Sequence, residues 1–173
     1  MASNSLPRVV ILGLVLPVIL AASVVISTPG GAQQVISERQ ISIALAQDIA
    51  TAAMEQCRKD GFKVAVTVVD RSGRLKILLR DDGTGPQTIE ASQRKAYTSA
   101  AFRVSSGTFA ERVSHPAAAA LSQLENVIAL QGGVPIKFGD EVIGAVGVGG
   151  APGGDKDETC ANAGIQKVVD RLH

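Results

Sequence analysis

Gln131-Gly-Gly-Val-Pro-Ile-Lys-Phe-Gly-Asp-Glu-Val-Ile-Gly-Ala-Val-Gly-Val-Gly-Gly-Ala-Pro-Gly-Gly-Asp-Lys-Asp-Glu158 holds nine glycines, and the fold turns on its reading. Val134 to Phe138 is a short strand, and Gly139-Asp140 is a two-residue turn in which both residues tolerate the positive φ of a primed hairpin turn. The return strand starts at Glu141. Along Val142 to Val148 the bulky residues are mixed with Gly144, Ala145 and Gly147, and glycine inside a strand signals close approach of another backbone or a ligand. This pattern places the strand at the centre of a sheet. The run Gly149 to Gly154 follows, after which Asp155 and Glu158 form a capping-box variant for a helix.

The glycine run matches neither phosphate-binding pattern. Gly147-x-Gly149 is followed by Ala151-Pro152, which breaks the dinucleotide fingerprint. A P-loop needs Lys-Ser or Lys-Thr at its end, whereas Asp155, Asp157 and Glu158 would repel phosphate. Two readings stand for the loop: a tight crossing into a capped helix, or backbone amides lining a ligand pocket.

Working outward, Ser37–Lys59 repeats apolar residues every four positions at Ile41, Leu45, Ile49, Ala53 and Cys57, which predicts an amphipathic helix ending at Gly61. Phe62–Val69 and Arg74–Leu79 are β-rich runs joined by the turn residues Asp70-Arg-Ser-Gly73, an antiparallel hairpin. After the polar loop Arg80–Pro86, a second helix runs from about Thr88 to Phe102. Its small residues Ala91, Ser92, Ala96, Ser99 and Ala100 predict either tight packing on the sheet or the border of a cavity or subunit interface. Ser106 caps a shorter helix through Val113, Pro116 restarts a helical Ala117–Leu124 run, and Val127–Leu130 reads as a strand. A last helix spans about Lys156–Leu172. The expected fold is α+β, a central antiparallel five-stranded sheet flanked by helices, in the order α-ββ-ααα-βββ-α.

Residues 1–32 are expected to be a signal peptide and 33–173 the functional domain. Arg8 precedes nineteen uncharged residues, Val9–Ser27, and Gly30-x-Ala32 offers a small-x-small cleavage site before Gln33. An uncleaved membrane anchor is the rival, because such a run is long enough to span a bilayer. Cleavage predicts a periplasmic or extracellular protein. It removes one of 17 bases and none of the 16 acids, leaving charges in balance. With aromatics at 3% and no basic patch, nucleic-acid binding is not expected.

Histidine occurs only at His115 and His173, no Cys/His/carboxylate cluster has zinc spacing, and no serine sits in a G-x-S-x-G elbow. No catalytic residue is assigned. Cys57 closes the first helix and Cys160 opens the last. Export would permit a disulfide between them if those helices pack antiparallel; the other reading is two buried thiols.

Three segments, VAVTVVDRSGRL (64–75), RDDGTGPQTIEASQRKAYTSAAFR (80–103) and the opening stretch from Leu130, together resemble the GlcG/HbpS-like haem-binding family, seen also as the C-terminal domain of some corrinoid adenosyltransferases. The resemblance covers about Ser37–Leu172. It implies an antiparallel sheet between helices, assembly into homo-oligomers, and in some members a haem pocket. That pocket lies against the R-K-A-x-T helix and the following turn, here Arg94, Lys95, Tyr97, Thr98, Phe102 and Ser106, with Tyr97, Phe102 and Phe109 offering apolar surface. Arg94, Lys95 or Arg103 would pair with propionates. Where relatives carry histidine after G-x-G-P, this chain has Gln87, which leaves Tyr97, His115 or the Ser106 oxygen for the iron. The expectation is an exported, oligomeric haem or tetrapyrrole binder. The alternatives are a non-catalytic sensor or interaction subunit without haem, and an accessory protein of small hydroxy-acid (glycolate) use.

Overall fold

The computed structural model describes residues 36–173; the expected signal segment lies outside them. Helix α1 (Ile43–Lys59) starts later than the periodicity suggests. Residues 37–42 are not helical, the Ile41 amide donates to the Ile143 carbonyl, and Ser42 caps the helix by accepting from the Leu45 amide. The buried face is Ala46, Ile49, Ala50, Ala53, Met54 and Cys57. The helix closes at Asp60, followed by Gly61 at φ 81°.

Strands β1 (Ala65–Asp70) and β2 (Leu75–Arg80) form the expected hairpin. Its turn is an Asx turn: Asp70 Oδ1 accepts from the amides of Ser72 and Arg74, and Gly73 takes φ 77°. Helices α2 (Gln87–Phe102) and α3 (Ser106–Val113) follow, then a 3-10 helix over Pro116–Gln123, strands β3 (Gly133–Phe138) and β4 (Glu141–Gly149), helix α4 (Gly154–Gln166) and a final 3-10 turn, Val169–Arg171. The α3 cap is Ser105 and not Ser106, which instead accepts from the Gly133 amide.

The sheet is antiparallel in the order β2-β1-β4-β3, four strands where five were expected. Val127–Leu130 is the missing strand. Its backbone is satisfied by α2 side chains: Arg94 Nη2 donates to the Val127 carbonyl at 2.6 Å and the Ile128 amide donates to Thr98 Oγ1 at 2.9 Å. A segment whose polar groups are met in that way has no need of a ladder partner. In the β3–β4 turn only Gly139 has positive φ, at 58°, so one and not both turn residues uses the left-handed region.

Residue alternation divides the sheet into two faces. Val66, Val68, Val146 and Val148 point toward α1 and α4, in a core with Ile49, Ile136 and Ala161; full burial of one such aliphatic side chain stabilises by about 1.5–3 kcal/mol. Val69, Ala145, Ala96 and Ala100 form the core on the α2 face. Small residues of β4 let α2 come close. A Cβ at Gly147 would strike the Ser92 carbonyl and the Ala96 amide, and Ser92 Oγ bonds Thr67 Oγ1 at 2.8 Å. The tight-packing reading of both the glycine strand and the small-residue helix therefore holds.

Cys57 and Cys160 are joined by a disulfide, with Cα atoms 5.5 Å apart. It sits between antiparallel α1 and α4, whose close approach continues at Gly164, where a Cβ would meet Ala53 Cβ at 3.0 Å. The expected Asp155 cap is not formed. Helix α4 begins two residues earlier than expected, at Gly154 behind Gly153 at φ 135°, and Asp157 turns inward, where its Oδ1 accepts from the Ala151 amide at 3.0 Å.

Candidate functional site

On the α2 side of the sheet, the helix covers β1, β4 and β3 far more than β2, and the uncovered corner is a cleft of about 780 Å³. That volume falls in the range of small-molecule sites. Its floor is Val69 and Leu75, one wall is Glu90, Gln93, Arg94 and Tyr97 of α2, and the other is Ser122–Asn126. Leu75 and Leu124 are 54% and 52% exposed, so the cleft shows apolar surface to solvent. Asn126 stands at φ 63°, bending the second wall back toward the core.

Spacing on α2 explains the assembly of polar groups. Thr88, Ser92, Lys95, Ala96 and Ser99 lie on the buried stripe, whereas Glu90, Gln93, Arg94 and Tyr97 fall on the flank that borders the cleft. Tyr97 is half-buried, its ring laid on the β1–β2 turn; a Cβ at Gly73 would come within 2.6 Å of Tyr97 Cδ2. That turn needs glycine both for its positive φ and for this ring. Arg94 pairs through Nη1 with Glu90 Oε1 at 3.1 Å and through Nη2 with the Val127 carbonyl, while its buried Nε has no partner among the described residues.

The other residues singled out by sequence are placed differently. Lys95 is 4% exposed and does not line the cleft. Its ammonium donates to Asp157 Oδ2 at 2.7 Å and to the Val148 carbonyl at 3.0 Å. Burial pushes the Asp157 carboxyl above its ordinary value of 3.8, against the opposing pull of Lys95 and the Ala151 and Gly150 amides. Thr98 is buried, bonded to the Arg94 carbonyl and the Ile128 amide. Phe102 stacks on Phe109 with centroids 4.3 Å apart, in a small core with Val113 and Val127. Ser106 is buried against Gly133. His115 is exposed ahead of the 3-10 helix, and Gln87 opens α2 with its amide against Gly85. Among the described residues, no group of three or more His, Cys, Asp or Glu could hold a metal ion, and no helix is long and apolar enough to cross a membrane.

Sequence reasoning found Arg94 and Tyr97 but missed Val69, Leu75 and Ser122–Asn126, which come from other parts of the chain. It also missed the Lys95–Asp157 pair. A signal was present: Lys95 shares a helical stripe with Ser92, Ala96 and Ser99, the face read as packing tightly on the sheet, and an ammonium buried there needs a carboxylate.

The family described as Haem degrading protein HbpS-like matches residues 41–166. The chain belongs to the HbpS-like family. Protein GlcG of Escherichia coli strain K12 is 34% identical over 108 residues, spanning 62% of this chain and 80% of GlcG. A double-mutant form of HbpS from Streptomyces reticuli is 34% identical, with a TM-score of 0.74 over 82% of this chain and 94% of that one. PduOC, solved as a complex with haem, shares the fold at 21% identity and a TM-score of 0.67, over 74% of this chain and 94% of that one.

Proposed function

We propose that this protein binds haem or a related tetrapyrrole in the cleft between α2 and residues 122–126. The observation that carries this reading is one cleft, in an HbpS-like chain, with an apolar floor of Val69 and Leu75 flanked by Tyr97 and Leu124, and with Arg94 on its otherwise polar walls. The residues fit the group. Apolar side chains take the macrocycle by burying it from water, and Arg94 offers a charge-assisted bond to a propionate. Tyr97 lines the cleft and His115 does not, so the proposal gives the iron-facing oxygen to Tyr97. Bound haem would supply an iron centre able to exchange electrons and ligands. Lys95, Thr98, Phe102 and Ser106 support the site from behind by fixing α2, the 127–133 segment and α3. Addition of hemin to the purified protein tests this: a saturable Soret shift that Tyr97→Phe alters is the expected result, and a shift that never saturates would sink it.

The proposal includes export and self-association. Export is supported by the uncharged Val9–Ser27 run and by the disulfide, which suits an oxidising compartment. N-terminal sequencing from an exporting host should give Gln33; a start at Met1 in the membrane fraction means an anchor instead. Self-association is supported by the family resemblance and by exposed Ile43 and Leu130, which offer apolar surface outside the cleft lining. Sedimentation should report more than one chain, and a monomer at all concentrations would refute it.

A further inference from the structure

The β1–β2 hairpin changes register just before its turn. Ala65 faces Arg80 and Val68 faces Ile77, a register that would next set Val69 opposite Lys76 and Asp70 opposite Leu75. The ladder shifts by one residue there, and Val69 stands opposite Leu75. An extra residue in one strand is a bulge, a device that re-aims side chains. Facing residues of an antiparallel pair share a sheet face, so the shift sets Leu75 beside Val69 on the α2 side, where the two make the cleft floor. Lys76 does not line the cleft. Asp70 closes the shifted turn. Its Oδ1 accepts from the Ser72 and Arg74 amides at 2.9 and 3.0 Å, its amide donates to the Arg74 carbonyl at 2.8 Å, and its carbonyl accepts from the Gly73 amide at 2.9 Å. Arg71 ties the same turn to β4 through Glu141 Oε1.

We infer that Asp70 and Gly73 are positioning residues of the cleft: the turn they build seats the Tyr97 ring and sets Leu75, in place of Lys76, beside Val69. For the ligand, this inference rests on the tetrapyrrole reading above. Tyr97 has two supports. One is the small core of Phe109, Val113 and Val127, and the other is the turn, where a Cβ at Gly73 would lie 2.6 and 2.8 Å from Tyr97 Cδ2 and Cε2. No residue with a side chain fits beneath that ring edge, and Gly73 also needs its φ of 77°. Removing the Asp70 carboxylate leaves two turn amides without their acceptor, and the hairpin is then free to return to the regular register. Lys76 would then stand opposite Val69, and an ammonium in the apolar floor opposes an apolar ring. Asp70 therefore acts on the cleft twice, through the seat of Tyr97 and through the chemistry of the floor.

Tyr97 is the single tyrosine and the chain has no tryptophan, so tyrosine fluorescence reports this one ring. Without hemin, acrylamide quenching of that fluorescence should rise in Asp70→Ala and in Gly73→Ala. It should stay at the wild-type level in Asp70→Asn, whose side-chain carbonyl can accept the same two bonds. Hemin affinity should fall about tenfold in the first two variants and hold in Asp70→Asn. Adding Lys76→Leu to Asp70→Ala should recover affinity while the quenching stays raised, which separates the floor from the seat. Wild-type quenching and wild-type affinity in Asp70→Ala overturn the assignment; if that variant does not fold, the same two results in Gly73→Ala overturn it. No recovery with Lys76→Leu overturns the register half. If the wild type never binds hemin saturably, the tetrapyrrole reading falls and the ligand half of this inference with it, while the quenching comparison still decides the seat of Tyr97.

Discussion

Replacing Lys95 with methionine keeps the length of the stem, removes the ammonium, and leaves Asp157 in the interior with only the Ala151 and Gly150 amides as partners. Breaking a buried ion pair from one side costs about 3–5 kcal/mol, because the surviving charge is neither paired nor hydrated. The variant can escape by protonating Asp157, whose carboxyl is already raised by burial. Its loss of stability should therefore be largest near pH 7.5 and shrink by up to about 1.4 kcal/mol per pH unit on acidification. The double variant Lys95→Met, Asp157→Leu removes both charges and should recover more than about 2 kcal/mol relative to the sum of the single changes. Urea unfolding at pH 7.5 and pH 5.5, with all four proteins in one cycle, reads these differences. If the two single changes add to within about 0.5 kcal/mol, the groups are not coupled and the interior placement of Lys95 is wrong.

Three further outcomes follow from the same structure. Replacing Cys57 and Cys160 with alanine should lower stability by about 4 kcal/mol, since the bond closes a loop spanning 103 residues; an intact mass showing two free thiols in the wild type would refute the bond itself. Gly147→Val should cost at least about 3 kcal/mol by forcing α2 off the sheet, and an unchanged melting temperature would mean that the α2–β4 contact is loose. In wild type, the raised Asp157 carboxyl makes the folded state hold more protons than the unfolded one at pH values above 3.8, so this group's share of stability falls as pH rises through that window. Asp157→Asn should remove that slope, and an identical pH profile in the variant would contradict it.

Periodicity carried most of the helical architecture, because α1 and α2 each bury one face at a regular spacing, whereas β1 is a continuous β-rich run buried on both faces. The glycine strand was legible for a physical reason: Gly147 and Ala145 alternate with valine, so one sheet face is cleared for a helix. Val127–Leu130 was misread because Val127 and Ala129 pack in a small core with Phe109 and Val113 while the backbone bonds to Arg94 and Thr98. Side chains that reach across thirty residues leave no local periodic signal. The same limit hid half of the cleft. Arg94 and Tyr97 share a helix flank and could be found together, whereas Leu75 and Leu124 meet them only through tertiary packing. Asp155 looked like a cap because it begins an Asp-x-x-Glu pattern, yet the helix start was set by Gly153 and by the inward turn of Asp157.

The central claim is that the cleft takes haem, and its most direct measurement is a hemin titration followed at the Soret band for wild type beside Leu75→Glu, Leu124→Glu. Those two positions are more than half exposed, so the charged variant should fold while its cleft turns hostile to an apolar ring. The account predicts saturable binding by wild type and its loss in the variant with an unchanged unfolding profile; equal binding by both proteins would contradict it.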